Sequence, residues 1–167
     1  GSSSVFSKLF LTIEHMRVVV QRVKSAAVHV GGKQIAGMDK GLLILLGIEV
    51  GDSQDDIQYL VHKIARMRIF SDKNGKMNLS LQDLLQARCL VVSQFTLFGS
   101  LKRGQRPSFE RAAPPEFARM MVEMFVLALE KETNTRVDQG QFGADMQVAL
   151  INDGPVTLVL DSFIKDL

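Results

Sequence analysis

The sequence predicts an α/β fold: a single layered β/β/α domain, with two packed sheets and helices on one side. Three observations carry this expectation. Apolar runs of strand length recur from one end of the chain to the other, at residues 18–30, 42–48, 89–96, 146–151 and 156–160. Only two segments, 53–68 and 114–127, carry apolar residues at helical spacing. Two helices cannot cover both faces of a sheet with so many strands, so they gather on one side and the strands stack on themselves.

Residues 18–30 alternate, Val18 and Val20 with Val19 and Gln21, and Ala26, Val28 and Val30 again with the residues between them. Gly31-Gly32 fits a two-residue hairpin turn, and Lys33 to Met38 is the return strand. Lys40-Gly41 turns the chain again. Leu42 to Ile48 is continuously apolar, as a strand buried on both faces must be. Ser53 and Asp56 have the spacing of a capping box, followed by an apolar face of Ile57, Leu60, Val61, Ile64 and Met67 that ends near Arg68. Ile69-Phe70 is extended, Asp72-Lys73-Asn74-Gly75 turns, and residues 79–87 form a connector with a helical turn. Cys89 to Thr96 is the second central strand. After a basic loop, Pro114-Pro115 opens a second helix whose expected buried face is Phe117, Met120, Met121, Met124 and Leu127. Two strands close the chain, joined by Asn152-Asp153-Gly154-Pro155.

Composition narrows the function classes. With 167 residues the chain suits one domain, and 46% apolar content is globular rather than disordered. A net charge of +2 is too small to declare a nucleic-acid binder on its own. A single cysteine excludes an internal disulfide framework and a multi-cysteine metal cage, which suits a cytoplasmic location. The longest apolar run is far short of a membrane span. Residues 1–15 stand apart from the domain at 16–167. Gly1-Ser2-Ser3-Ser4 reads as a cloning remnant or as natural residues, and 5–15 as an amphipathic extension or the end of a targeting segment. That stretch has no arginine, which speaks against targeting.

His15, His29 and His62 share no ligand spacing, so no metal site and no cofactor is expected. Cys89 lies in an apolar run, where burial outweighs reactivity. There is no P-loop, dinucleotide fingerprint or nucleophile elbow. Two segments remain. Ser93-Gln94-Phe95-Thr96 puts hydroxyls, an amide and backbone donors at the end of a strand, where they can hold an oxyanion or a carbonyl. Asn152-Asp153-Gly154-Pro155-Val156-Thr157 offers a glycine that allows close backbone approach. Turn residues are common, and spacing alone favours a hairpin turn and a strand end that cap themselves.

Ser93-Gln94-Phe95-Thr96 and Asn152-x-Gly154-Pro155-x-Thr157 resemble the two signature motifs of the D-aminoacyl-tRNA deacylases. The likeness extends through Arg17 to Val23, Leu43 to Gly47, Arg68-Ile69-Phe70, Arg106 to Phe109 and Phe142 to Val148, essentially the whole domain. The resemblance implies hydrolysis of the ester joining a D-amino acid to the 3′-terminal adenosine of tRNA, with glycine also accepted. It implies a homodimer with its active site at the subunit interface, where a cis Gly154-Pro155 pair enters the partner's pocket. Gln21 and Arg22 match positions that hold this loop. Phe142, Gly143 and Met146 match the segment around the terminal adenine, and Ala112 falls where the family lines the aminoacyl pocket.

An ester is already activated, so its hydrolysis needs positioning and oxyanion donors more than a strong nucleophile. Thr96 has no evident base in the sequence, so water assisted by the ribose 2′-hydroxyl is the preferred nucleophile, with Thr96 as covalent nucleophile the alternative. Two other classes remain open: a non-catalytic RNA-binding module using Lys102, Arg103, Arg106, Arg111 and Arg119, and a relative acting on mischarged L-alanyl-tRNA.

Overall fold

The computed structural model describes residues 16–165. The expectations for residues 1–15, and for His15 among the histidines, lie outside them. The strands are β1 (Arg17–Val30), β2 (Lys33–Met38), β3 (Gly41–Gly47), β4 (Phe70–Ser71), β5 (Met77–Leu79), β6 (Arg88–Ser93), β7 (Val137–Gln139) and β8 (Met146–Asp161). The helices are α1 (Gln54–Arg66) and α2 (Pro115–Thr133).

The mixed α/β class and the two helices are as expected. The strands are arranged differently from two separate packed sheets. Six of them form one sheet, ordered β2-β1-β3-β6-β7 with β8 paired to β1, and β4-β5 is a small separate ribbon. Strand β1 causes this. Its first half, Arg17 to Val23, pairs antiparallel with β3, and its second half, Ala26 to Val30, pairs with β2. Strand β8 runs along the other edge of both halves. The strand is therefore shared, and the sheet curls over rather than splitting. The alternation in β1 puts Val23, Ala26 and Val28 into an inner core with Met38, Leu43, Leu90 and Val92. Its other face puts Val18 and Val20 into the larger core, with Leu42, Ile44, Cys89, Val91 and both helices.

Helix α1 forms where its pattern placed it. The Ser53 N–H donates to Asp56 Oδ2 at 2.7 Å, closing half of a capping box, and Ile57, Leu60, Val61 and Ile64 are buried. Helix α2 is turned relative to expectation. Met121 is buried, and Phe117 and Met124 are half-buried against the core, but Met120 is 49% and Leu127 66% exposed. The buried side is Ala118, Met121, Val122, Phe125, Val126 and Leu129. This helix is apolar around most of its circumference, so adjacent settings of the helical period fit it almost equally. Met16 closes the domain, its N–H donating to Ser162 Oγ at 2.7 Å while Ser162 N–H returns to Met16 O at 2.8 Å. Among the described residues no helix is long and apolar enough to cross a membrane.

Candidate active site

Strands β3 and β6 are parallel and end side by side, with Leu46 opposite Ser93. The expected strand 89–96 stops at Ser93, and Phe95 to Phe98 coil into a short 3₁₀ turn. The Gln94 N–H donates to Leu46 O at 2.8 Å, folding the turn back over the end of β3. Gly47 makes room for it: a Cβ there would stand 2.9 Å from Phe98 Cε2 and 3.1 Å from Leu97 Cβ. The first N–H groups of such a turn, those of Phe95 and Thr96, have no partner within it. Phe95 is 56% exposed and meets Phe109 edge-on, with ring centroids 5.0 Å apart.

Beside this turn lies a cavity of about 480 Å³. Ser93, Gln94, Phe95, Ala112, Phe142, Gly143 and Met146 all line it. Residues from three distant stretches thus meet in one place. Ala112 is held there by backbone pairing: Val50 N–H donates to Arg111 O at 3.1 Å and Ala113 N–H to Ile48 O at 3.0 Å. The sequence reading missed the rest of the lining, including Ile48, Val92, Ala113, Ala118 and Asp145. No local pattern marks them; only the curl of the sheet and the start of α2 bring them in. Thr96 does not line the cavity. It is exposed, and its hydroxyl accepts a hydrogen bond from the Gln94 side-chain amide.

The other expected residues gather elsewhere. Asn152 to Val156 is not a hairpin turn, because the segments on either side do not pair with each other. Both pair with β1, with Gln21 opposite Thr157 and Val23 opposite Asn152, so 153–156 bulge out of one long strand. The Gly154-Pro155 peptide is cis. Asn152 braces the bulge from within: its Oδ1 accepts from Val156 N–H at 2.7 Å and its Nδ2 donates to Thr157 Oγ1 at 3.1 Å. Gln21 Nε2 reaches the same hydroxyl at 3.4 Å. Arg22, a buried cation, donates from Nε to Asp153 O at 2.8 Å and from Nη1 to Ile69 O at 2.5 Å. The bulge is therefore built by Gln21, Arg22, Asn152 and Thr157 together. None of these, nor Gly154 or Pro155, lines the cavity of its own chain.

Burial pushes the Cys89 thiol up to about 12, so it is an inert core residue, as its apolar run implies. Arg111 is committed within the fold: its Nε contacts buried Glu49 Oε1 at 2.7 Å and its guanidinium covers the Phe98 ring at 5.4 Å. Lys102, Arg103 and Arg106 are exposed. Among the described residues no three His, Cys, Asp or Glu side chains converge as metal ligands.

A cavity of about 480 Å³ at the carboxyl ends of parallel strands, with Ser93 and Gln94 in its lining, marks an α/β protein with a ligand site at its strand ends. The family model described as D-Tyr-tRNA(Tyr) deacylase matches residues 19–161, and the chain belongs to that family. A D-aminoacyl-tRNA deacylase of Thermosipho africanus is 54% identical over 147 residues, covering 88% of this chain and 97% of its own. One from Flavobacterium psychrophilum is 51% identical over 151 residues, covering 90% and 100%. A solved structure named c-Myc DNA Unwinding Element Binding Protein is 42% identical, with a TM-score of 0.79 over 86% of this chain and 97% of that one. Another, described as a "probable eukaryotic D-amino acid tRNA deacylase", has a TM-score of 0.77 at 16% identity and bears on the fold alone.

Proposed function

We infer that the chain is a D-aminoacyl-tRNA deacylase, hydrolysing the ester between a D-amino acid and the 3′-terminal adenosine of tRNA. The observation that carries this, beside family membership, is the single cavity that gathers Ser93, Gln94, Phe95, Ala112, Phe142, Gly143 and Met146. Its volume, about 480 Å³, suits an adenosine with a small acyl group. The adenine lies toward Phe142, Gly143 and Met146, and the acyl carbon toward Ser93–Phe95 and Ala112. The N–H groups of Phe95 and Thr96 stabilise the oxyanion, Gln94 and Ser93 shape that site, and water assisted by the ribose 2′-hydroxyl attacks. No metal or cofactor takes part in this scheme.

The Gly154-Pro155 bulge completes the site from a second copy of the chain. Two observations support a homodimer of this kind. The bulge is braced by hydrogen bonds, yet none of its residues lines the cavity of its own chain. Strand β8, which carries it, pairs only with β1 among the described residues and exposes Ile151, Leu158 and Val159. Selection then acts at the α-carbon. The Gly154 carbonyl accepts from the substrate α-amino group, an L-substituent meets backbone, and a D-substituent points away. Glycine passes. Release of amino acid from D-tyrosyl-, L-tyrosyl-, glycyl- and L-alanyl-tRNA, with and without chelator, tests the reading. The D-tyrosyl and glycyl substrates should be hydrolysed and the L-tyrosyl substrate spared, with no effect of chelator. Brisk L-tyrosyl release, preference for L-alanyl-tRNA, or EDTA inhibition reversed by zinc would overturn it.

A further inference from the structure

We propose that a second cavity, under Arg119 at the first half of α2, receives the nucleotide that precedes the terminal adenosine. This rests on the reading of the first cavity as the seat of that adenosine and its aminoacyl group. The second cavity measures about 430 Å³, close in size to the first, and Phe142 lines both. A strand leaving the first cavity past that ring therefore enters the second. The turn that carries Phe142 is fixed: Gly140 N–H donates to Val91 O at 2.9 Å and Ala144 N–H to Gln141 O at 3.2 Å.

The chemistry of the lining matches a nucleotide rather than an apolar ligand. The Arg119 guanidinium lies over the Phe142 ring, 5.1 Å from its centroid. Arg119 is exposed, and no carboxylate pairs with it among the described residues. Stacked in this way, a guanidinium keeps its N–H fork turned outward for a phosphodiester, and its plane offers a surface for an unpaired base. Gln139 and Gln141 bring side-chain amides, which donate to and accept from a base edge, and Glu123 brings an acceptor for an exocyclic amine. A bare anion would not be given a carboxylate neighbour; a cytosine with its amino group is. All tRNAs share the same terminal -C-C-A, so a subsite of this kind adds affinity without narrowing the range of tRNAs served.

Two non-hydrolysable probes test this. One is adenosine carrying a D-amino acid in amide linkage at the 3′ position. The other extends it by a 5′ cytidylyl phosphodiester. The unmodified protein should bind the longer probe about tenfold more tightly. Arg119→Ala should remove most of that preference and leave affinity for the shorter probe unchanged, with Arg119→Lys recovering part of it. Equal weakening of both probes would mean that Arg119 acts only by propping Phe142. An unchanged preference in Arg119→Ala would mean that the cavity is not used. Either result overturns the subsite while leaving the first cavity standing. Failure of the unmodified protein to bind even the shorter probe would instead remove the reading of the first cavity, and the subsite with it.

Discussion

Gly154 sits at φ +145, where a Cβ would stand 2.7 Å from Val156 Cγ2 and 3.1 Å from Arg22 Nη2. An alanine there must move the bulge away from Arg22. The position is exposed, so Gly154→Ala should melt within a few degrees of the unmodified protein, yet kcat/KM should fall by about 10² or more, the cost of a small misplacement at a site. Full activity in this variant would exclude the bulge from the site. Thr96 leads to the opposite expectation. Its hydroxyl serves Gln94 outside the cavity, so Thr96→Ala should lose less than the roughly 10²–10³ that removal of an oxyanion donor costs. Capture of an aminoacyl ester on Thr96 would reverse that assignment. Asp52 gives a pH signature. Burial, reinforced by the nearby Asp56, Glu49 and Asp161 carboxylates, raises its carboxyl from 3.8 to about 8, against the pull of the Glu49 N–H bonded to it at 2.7 Å. Over that interval the folded chain keeps a proton that the unfolded chain has released. The group's contribution is therefore full at acid pH and is lost as pH rises to about 8. Asp52→Asn keeps the acceptor without the proton, so its melting temperature should fall less between pH 5 and 8 and exceed the parent's at pH 8, by roughly 2–4 °C per kcal/mol recovered. Nothing local foretold this. No pattern around Val50-Gly51-Asp52 marks a buried acid, whereas Ser93 and Cys89 were legible because polar and apolar character change abruptly along one strand.

At the scale of elements, legibility followed how sharply a pattern was written. Helix α1 carries acids on one side and Ile57, Leu60, Val61 and Ile64 on the other, and only one setting of the helical period fits it. Helix α2 spreads apolar residues around its axis, and its face was misread by about one residue. The correction is measurable. Phe125→Ala should cost about 3–5 kcal/mol, as for a fully buried aromatic, whereas Leu127→Ala should stay within about 0.5 kcal/mol. Urea denaturation of the two variants checks this, and a costly Leu127→Ala would restore the original face or place that side chain in an interface. The closing pair of strands shows a different limit. Asn152 to Pro155 has the composition of a hairpin turn, and only the partner of each flanking segment separates a turn from a bulge. That partner, β1, lies more than a hundred residues earlier, beyond the reach of any local pattern.

At the scale of the whole molecule, the cavity lining and the Gly154-Pro155 bulge share no residue within one chain. The cavity at the ends of β3 and β6 and the bulge on β8 are separately well built, and neither completes the other within one chain. If two copies exchange bulges, each site takes its cavity from one subunit and its loop from the other. Defects in the two parts should then complement. Gly154→Ala disables the loop and spares the cavity. Ala112→Phe fills the cavity and spares the loop. Each variant alone should be inactive. In a mixed dimer, the Gly154→Ala subunit supplies a sound cavity and receives a sound loop, and the reciprocal site carries both defects. Random pairing of equal amounts makes half the dimers mixed, with one working site of two in each, so about a quarter of the parental activity should return. Coexpression of the two variants with different tags, followed by purification through both, isolates the mixed dimer and should raise the figure to about half. Absence of recovery in that doubly purified dimer, with the Ala112→Phe subunit shown to fold, would mean that the bulge acts in its own chain or not at all.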